Sequence, residues 1–302
     1  MLAARLLMDQ GIHVEAVTFE SPFFDADAGR KAACEIGIPW RAVDFTEDIL
    51  GLLNNPPSGF GKNMNPCIDC HSAMFKRLMG IALQEGHDFI FSGEVAGQRP
   101  MSQNRGSLNR VRNLSGTADF LLRPLSAKIL PPTPMEERGL VDRERLLDLN
   151  GRGRTRQLEM AAQYGFSFVP APAGGCLLTD PGYSGRLRVL QENGLLTADN
   201  ARMIKYGRMF LLHGAVGLAG RTRFENDAIR NAGIGWLIDM KGVPSPLGVL
   251  LGRETEENKR LLASIVASYT KRKAPLTAVT PQGEFTTEKM DIPVREKYSV
   301  IL

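Results

Sequence analysis

The feature that most limits the fold is an alternation of two periodicities along the first third of the chain. "LAARLLMDQG" (2–11) has helical spacing and a glycine stop, and "HVEAVTFE" (13–20) alternates as a strand does. "DADAGRKAACEIG" (25–37) returns to helical spacing, "WRAVDFT" (40–46) to a strand, and "EDILGLLN" to a short helix. "CHSAMFKRLMGIALQEG" (70–86) and "DFIFSGE" (88–94) repeat the pair. Strands alternating with helices predict parallel βαβ units and an open α/β sheet. Ligands of such sheets sit beyond the carboxyl ends of the strands. Here those ends fall at Phe19-Glu20, Asp44-Phe45 and Ser92-Gly93-Glu94.

The pattern changes further on. Residues 54–66 are dense in Gly, Pro and Asn, and 99–118 form a long polar stretch, so both are expected as loops. "FLLRPLSAKILPPTP" predicts a strand and a turn, then "MEERGLVDRERLLDLN" and "RTRQLEMAAQYG" two helical pieces. "VPAPAGGCLLTDPGYSGRL" (169–187) marks a joint. Beyond it the segments predict a smaller α+β unit, so the chain divides into a domain over 1–179 and another over 180–302. No window approaches the roughly 18 apolar residues of a membrane span, which with the absence of a signal-like start predicts a cytoplasmic protein.

Net charge is only +4, so charge alone selects no partner, but its distribution is uneven. Twelve basic residues lie between Arg99 and Arg156, and all but Lys128 are arginines, whose planar fork suits phosphates and base edges. Acids such as Glu136, Glu137 and Asp142 are interspersed, so a solvated, ion-paired face is the competing explanation.

Two of the four cysteines sit together in "GKNMNPCIDCHSAMFKRL" (61–78), and Cys176 follows two glycines in "PAGGCLLTD". In a reducing compartment such spacing points to metal, cluster or redox chemistry. Cys67, Cys70 and Cys176 could hold three irons of a [4Fe–4S] cluster, leaving the fourth open. Two of them could instead carry and resolve a persulfide. With His71 they could hold structural zinc, or all could be buried thiols whose spacing is coincidental. The alanines around Cys34 point to core packing.

Five ordered blocks, "GKNMNPCIDCHSAMFKRL", "SGEVAGQRPMSQ", "LLRPLSAKILPPTPMEERGLVDR", "GRGRTRQ" and "PAPAGGCLLTD", resemble the tRNA uridine thiolases of the PP-loop ATPase superfamily, the 4-thiouridine and 2-thiouridine synthases. The resemblance spans residues 1 to about 180. The C-terminal part, through "VGLAGRTRFENDAI" and "WLIDMKGVPSPLGVLL", is similar to the RNA-binding domain of the NFACT family. This resemblance implies an adenine nucleotide alpha hydrolase (PP-loop) sheet and a tRNA sulfurtransferase in which ATP, with Mg2+, adenylates a uridine carbonyl and sulfur displaces AMP. It implies Cys67 and Cys176 as the catalytic pair and Cys67, Cys70 and Cys176 as ligands of a [4Fe–4S] cluster. Phe19, Gly93 and Glu94 would lie beside ATP. Lys62, Asn63, Arg99, Arg152 and Arg154 would contact tRNA, and sulfur would come from a cysteine desulfurase or from sulfide. The family's Ser-Gly-Gly-x-Asp-Ser pyrophosphate loop does not occur in the sequence. The resemblance therefore implies that the first strand and this loop either lie upstream of Met1, the preferred expectation because every later block remains, or have been lost, that the central strand of the sheet is missing from the chain as it stands, and that the chain alone binds ATP weakly and folds poorly. Two rival classes are a non-catalytic zinc- and RNA-binding protein and a PP-loop ligase acting on a small molecule.

Overall fold

A computed structural model describes residues 1–171 and 175–300. The chain divides into two compact units that meet between Cys176 and Leu177, whereas the sequence places the boundary after residue 179. Among the described residues no helix is long and apolar enough to cross a membrane.

The first unit runs through α1 (Leu2–Met8), β1 (Ala16–Glu20), α2 (Asp27–Ile36), β2 (Trp40–Asp44), α3 (Thr46–Asn54), α4 (Cys67–Gln84), β3 (Ile90–Phe91), α5 (Arg105–Ser115), β4 (Leu121–Leu122), α6 (Pro134–Glu137) and α7 (Thr155–Gln163). The expected parallel geometry holds pair by pair. β1 pairs with β2 from Ala16↔Trp40 to Glu20↔Asp44, and β3 pairs with β4 through Ile90↔Leu121 and Phe91↔Leu122. A single continuous sheet does not form among the described residues; there are two two-stranded sheets.

The reason lies in the free edges. In a parallel pair, alternate residues direct both backbone groups to the same neighbour. Ala16 N–H donates to Pro39 and Phe45 N–H to Glu20, so Val17 and Phe19 direct theirs away from β2. Ile90 N–H donates to Phe120 and Ser92 N–H to Leu122, so Phe91 directs its own away from β4. A cavity of about 610 Å³, lined by Val17, Thr18, Ile90, Phe91 and Gly93 among others, lies beside these edges, and no described strand fills it.

Three sequence expectations are corrected here. Residues 99–118 are not a loop throughout: α5 starts behind the Asn104 cap, whose side chain accepts from Ser107 N–H, and stops at Gly116, φ +68°. Leu108, Val111 and Ser115, spaced by three and four, give it a buried face. "MEERGLVDRERLLDLN" yields only the single turn of α6 and a 3₁₀ turn at Arg143–Arg145, because Gly139 turns left-handed at φ +72°. Cys34 is exposed, since α2 buries Ala33 and turns the next residue outward.

The second unit contains α8 (Pro181–Glu192), α9 (Ala198–Met203), β5 (Arg208–Leu211), β6 (Ala215–Ala219), α10 (Arg223–Ala232), β7 (Trp236–Met240), β8 (Gly248–Gly252), α11 (Glu256–Ala267), β9 (Leu276–Thr280), β10 (Gly283–Thr287) and α12 (Ile292–Tyr298). Six strands form one sheet in the order β10-β9-β7-β8-β6-β5, antiparallel at every pairing. Helix α11 packs against it through Leu262 and Val266. The approach is close: a Cβ on Gly217 would stand 2.8 Å from Leu262, and one on Gly248 2.7 Å from Val266.

Candidate active site around the cysteine helix

The loop between α3 and α4 is tied down by polar contacts. Buried Asp69 accepts from Ser58 N–H (2.8 Å) and from the Ser58 hydroxyl (2.6 Å), and Arg110 of α5 donates to that hydroxyl at 3.0 Å. The loop closes further on through Gly61 N–H to Asn65 O, 2.9 Å. Its end delivers Cys67 to the first turn of α4, three residues earlier than the sequence places the helix start. That helix is 18 residues long, and its amino end is the positive end of a peptide dipole. Cys67 is half-buried and receives the Asn65 Nδ2 donor at 3.2 Å.

Cys70 lies one turn further along. Burial pushes its thiol well above the ordinary value, and the charges of Cys176, Cys67 and Asp69 add to the effect. The Cys70 thiol thus feels both other cysteines. The three sulfurs do not close around a single ion: among the described residues the only set of three or more His, Cys, Asp or Glu ligand atoms that all lie within 4.8 Å of one another belongs to Glu15, Glu85 and His87. Tetrahedral zinc would hold its sulfurs about 3.8 Å apart, given bonds of about 2.3 Å. His71 is engaged elsewhere, its Nδ1 lying 3.1 Å from Glu94. The Glu15–Glu85–His87 group is a surface ion-pair cluster in which Arg41 donates to both Glu85 oxygens.

Glu94, expected beside a nucleotide, has a side chain only 7% exposed and bound on both oxygens. His71 meets one, while Arg123 Nε (2.8 Å) and the Ser92 hydroxyl (3.2 Å) donate to the other. Burial alone would raise its carboxyl, but His71 and Arg123 outweigh that and hold it at about 2. Gly93 is exposed and lines the cavity beside β1 and β3. Phe19 packs its ring 5.3 Å from that of Phe45.

The basic residues are partly gathered. Ala96 bridges to Asn150 in parallel, Gly151 N–H donates to Ala96 O at 2.7 Å, and Gln98 Nε2 donates to Gln157 at 2.9 Å. Gly97, at φ +78°, permits this approach: a Cβ there would be 3.2 Å from Gly151 N. The segment carrying Arg99 therefore runs beside the one carrying Arg152 and Arg154. Arg152 is exposed, and Arg154 donates to Pro170 O at 2.8 Å. Lys62 is exposed and Asn63 half-buried on the cysteine loop.

Sequence reasoning missed Asn65, Ser58 and Asp69 and gave Arg123 no role of its own. Asn-Pro before a cysteine was the available signal for Asn65; the other three reveal themselves only through contacts made far along the chain.

No protein-family profile matches the chain. Over 110 residues it is 33% identical to the tRNA-specific 2-thiouridylase MnmA of Syntrophotalea carbinolica, a match covering 32% of this chain and 31% of that protein. The chain therefore spans about a third of the length of the curated relative it matches. It is distantly similar to a tRNA 2-thiouridylase, over part of each sequence.

Proposed function

We propose that the protein is a tRNA uridine sulfurtransferase whose sulfur passes through Cys176 and Cys67. Mg-ATP adenylates the 2-carbonyl oxygen of a uridine and releases pyrophosphate. A persulfide on Cys176, loaded by transfer of sulfane sulfur from the persulfide of a cysteine desulfurase, whose own thiol is released, attacks the ring carbon, and AMP leaves with the original oxygen. The Cys67 thiolate then attacks the Cys176 sulfur. The sulfur–sulfur bond breaks, thiouridine leaves, and a Cys67–Cys176 disulfide remains for an external thiol to reduce. Gly93 and Phe19 lie near the nucleotide in this reading. Glu94 shapes the site through His71 rather than by touching ATP. Lys62, Asn63, Arg99, Arg152 and Arg154 supply phosphate contacts.

The observation that carries the reading is the contrast between two cysteines one turn apart. Cys67 stands at a helix amino end with an amide donor on its sulfur, and Cys70, one turn on, is held as a thiol by burial. Likeness to a 2-thiouridylase supports the choice of reaction. Nucleoside mass spectrometry of tRNA from a deletion strain tests it. One thiouridine disappears, and it returns with the wild-type gene but not with Cys67→Ser or Cys176→Ser; unchanged thiouridine removes the function. Anaerobic purification with metal analysis tests the carrier. Iron with acid-labile sulfide would make a [4Fe–4S] cluster on Cys67, Cys70 and Cys176 the sulfur carrier instead.

A further inference from the structure

We propose that the second unit carries a phosphate-binding site around Tyr269, a site the sulfur-transfer reading does not use. Tyr269 follows the end of α11. The guanidinium of Arg208, the first residue of β5, stands 4.7 Å from the centre of its ring. That of Arg295, on α12, stands 4.3 Å from the same centre. The end of the chain brings the two arginines together: Ser299 bridges to Phe210, and Val300 N–H donates to Met209 O at 2.9 Å. Cation–π attraction holds each guanidinium at the ring. All three residues are half-buried, which leaves part of each open to solvent.

Charge makes the arrangement a site. Elsewhere in the unit cations meet carboxylates: Arg202 with Asp199, Arg230 with Asp239 and Lys241 with Glu284. Among the described residues no carboxylate pairs with Arg208 or Arg295. Arg295 donates through Nη1 to the Ser268 hydroxyl at 3.0 Å, and its buried Nε has no hydrogen-bond partner. Lys271, Arg272 and Lys273 follow directly, all exposed and also without an acid partner. Beside them Lys289 Nζ is fixed on Thr270 O at 2.6 Å. The negative end of the α11 dipole accounts for a cation there, not for five from three segments. Two like charges around one ring repel, and an anion that bridges them removes the repulsion. Phosphate suits the planar forks of two arginines. The adjoining run of three bases suits a ligand that repeats the phosphate, the backbone of RNA; free phosphate presents the same chemistry once.

The test uses the full chain and two probes. Inorganic phosphate is followed by thermal melting at constant ionic strength, and a fluorescein-labelled RNA hairpin by anisotropy over a range of salt. The wild type binds the hairpin. Arg208→Gln combined with Arg295→Gln weakens binding about tenfold and lowers its slope against log salt by about two. The exposed triple change Lys271→Gln, Arg272→Gln and Lys273→Gln also lowers the slope and serves if the double variant does not fold. Phosphate stabilisation without RNA binding, lost in the variants, assigns the site to free phosphate. A wild type that binds neither probe, or variants that bind both as the wild type does, overturns the proposal. Neither probe involves ATP or a cysteine, so a failed sulfur-transfer reading leaves these results untouched.

Discussion

Within the described part of residues 1–176 the interior takes in charged side chains, among them Asp69, Glu94 and Arg123, and each of these is met by partners from other elements. In residues 177–302 the described buried polar side chains, Ser184, Asn200, Asn258, Thr270 and Thr287, carry no charge, and the core around Leu262, Ile265 and Val266 is apolar. The contrast follows the backbone. Six antiparallel strands bond one another in an unbroken series, and burial of one face is enough to hold them. Two short parallel pairs leave edges open, and the elements between them are joined by side chains. A unit specified by buried ion pairs depends on complete sets of partners, whereas one specified by apolar packing depends on volume.

The largest effect that could break this comparison belongs to Glu94. Replacing it by Gln leaves Arg123 buried beside a neutral amide and lowers the stability of the first unit by about 3–5 kcal/mol; chemical denaturation followed by hydrogen exchange of each unit measures it. The pH dependence has a fixed sign. Glu94 is held at about 2, below the ordinary 4.5, so its contribution is present above about pH 4.5 and is lost as pH falls toward 2. Acid melting of the wild type steepens in that interval, and Glu94→Gln flattens it.

Next in size is Leu262→Ala in the second unit. Removing a fully buried side chain that touches the sheet costs about 2–5 kcal/mol, with no added acid sensitivity. If Leu262→Ala gave the acid-dependent loss and Glu94→Gln did not, the contrast between the units would fail. The smallest effect belongs to Cys34→Ser. An exposed position on α2 is expected to shift stability by no more than about 0.5 kcal/mol, whereas a core thiol would cost more.

The second unit was legible as α+β from short apolar runs set between helical segments; β7 alternates, with Trp236, Ile238 and Met240 buried and Leu237 and Asp239 half-buried, while β6 is buried throughout. Its six-strand order was not legible, since pairing between distant segments leaves no local trace. In the first unit β1, β2 and α2 followed their periodicity closely. Helix α5 was hidden by arginines and asparagines on its outer face, which mask the spacing of Leu108 and Val111. The three cysteines stood out by type and setting. Their environments did not, because Asn65 acts through a loop closure at Gly61, and Cys70 owes its character to burial.

Cys70 sits one turn into α4 from Cys67, and the burial that raises its thiol bears on how the protein wears under peroxide. Oxidants act on thiolates, so Cys70, whose thiol burial holds in its protonated form, is slow to form sulfenic acid. Ageing of the protein in air is therefore expected to reach exposed Cys34 well before Cys70, which the packing around its helix spares.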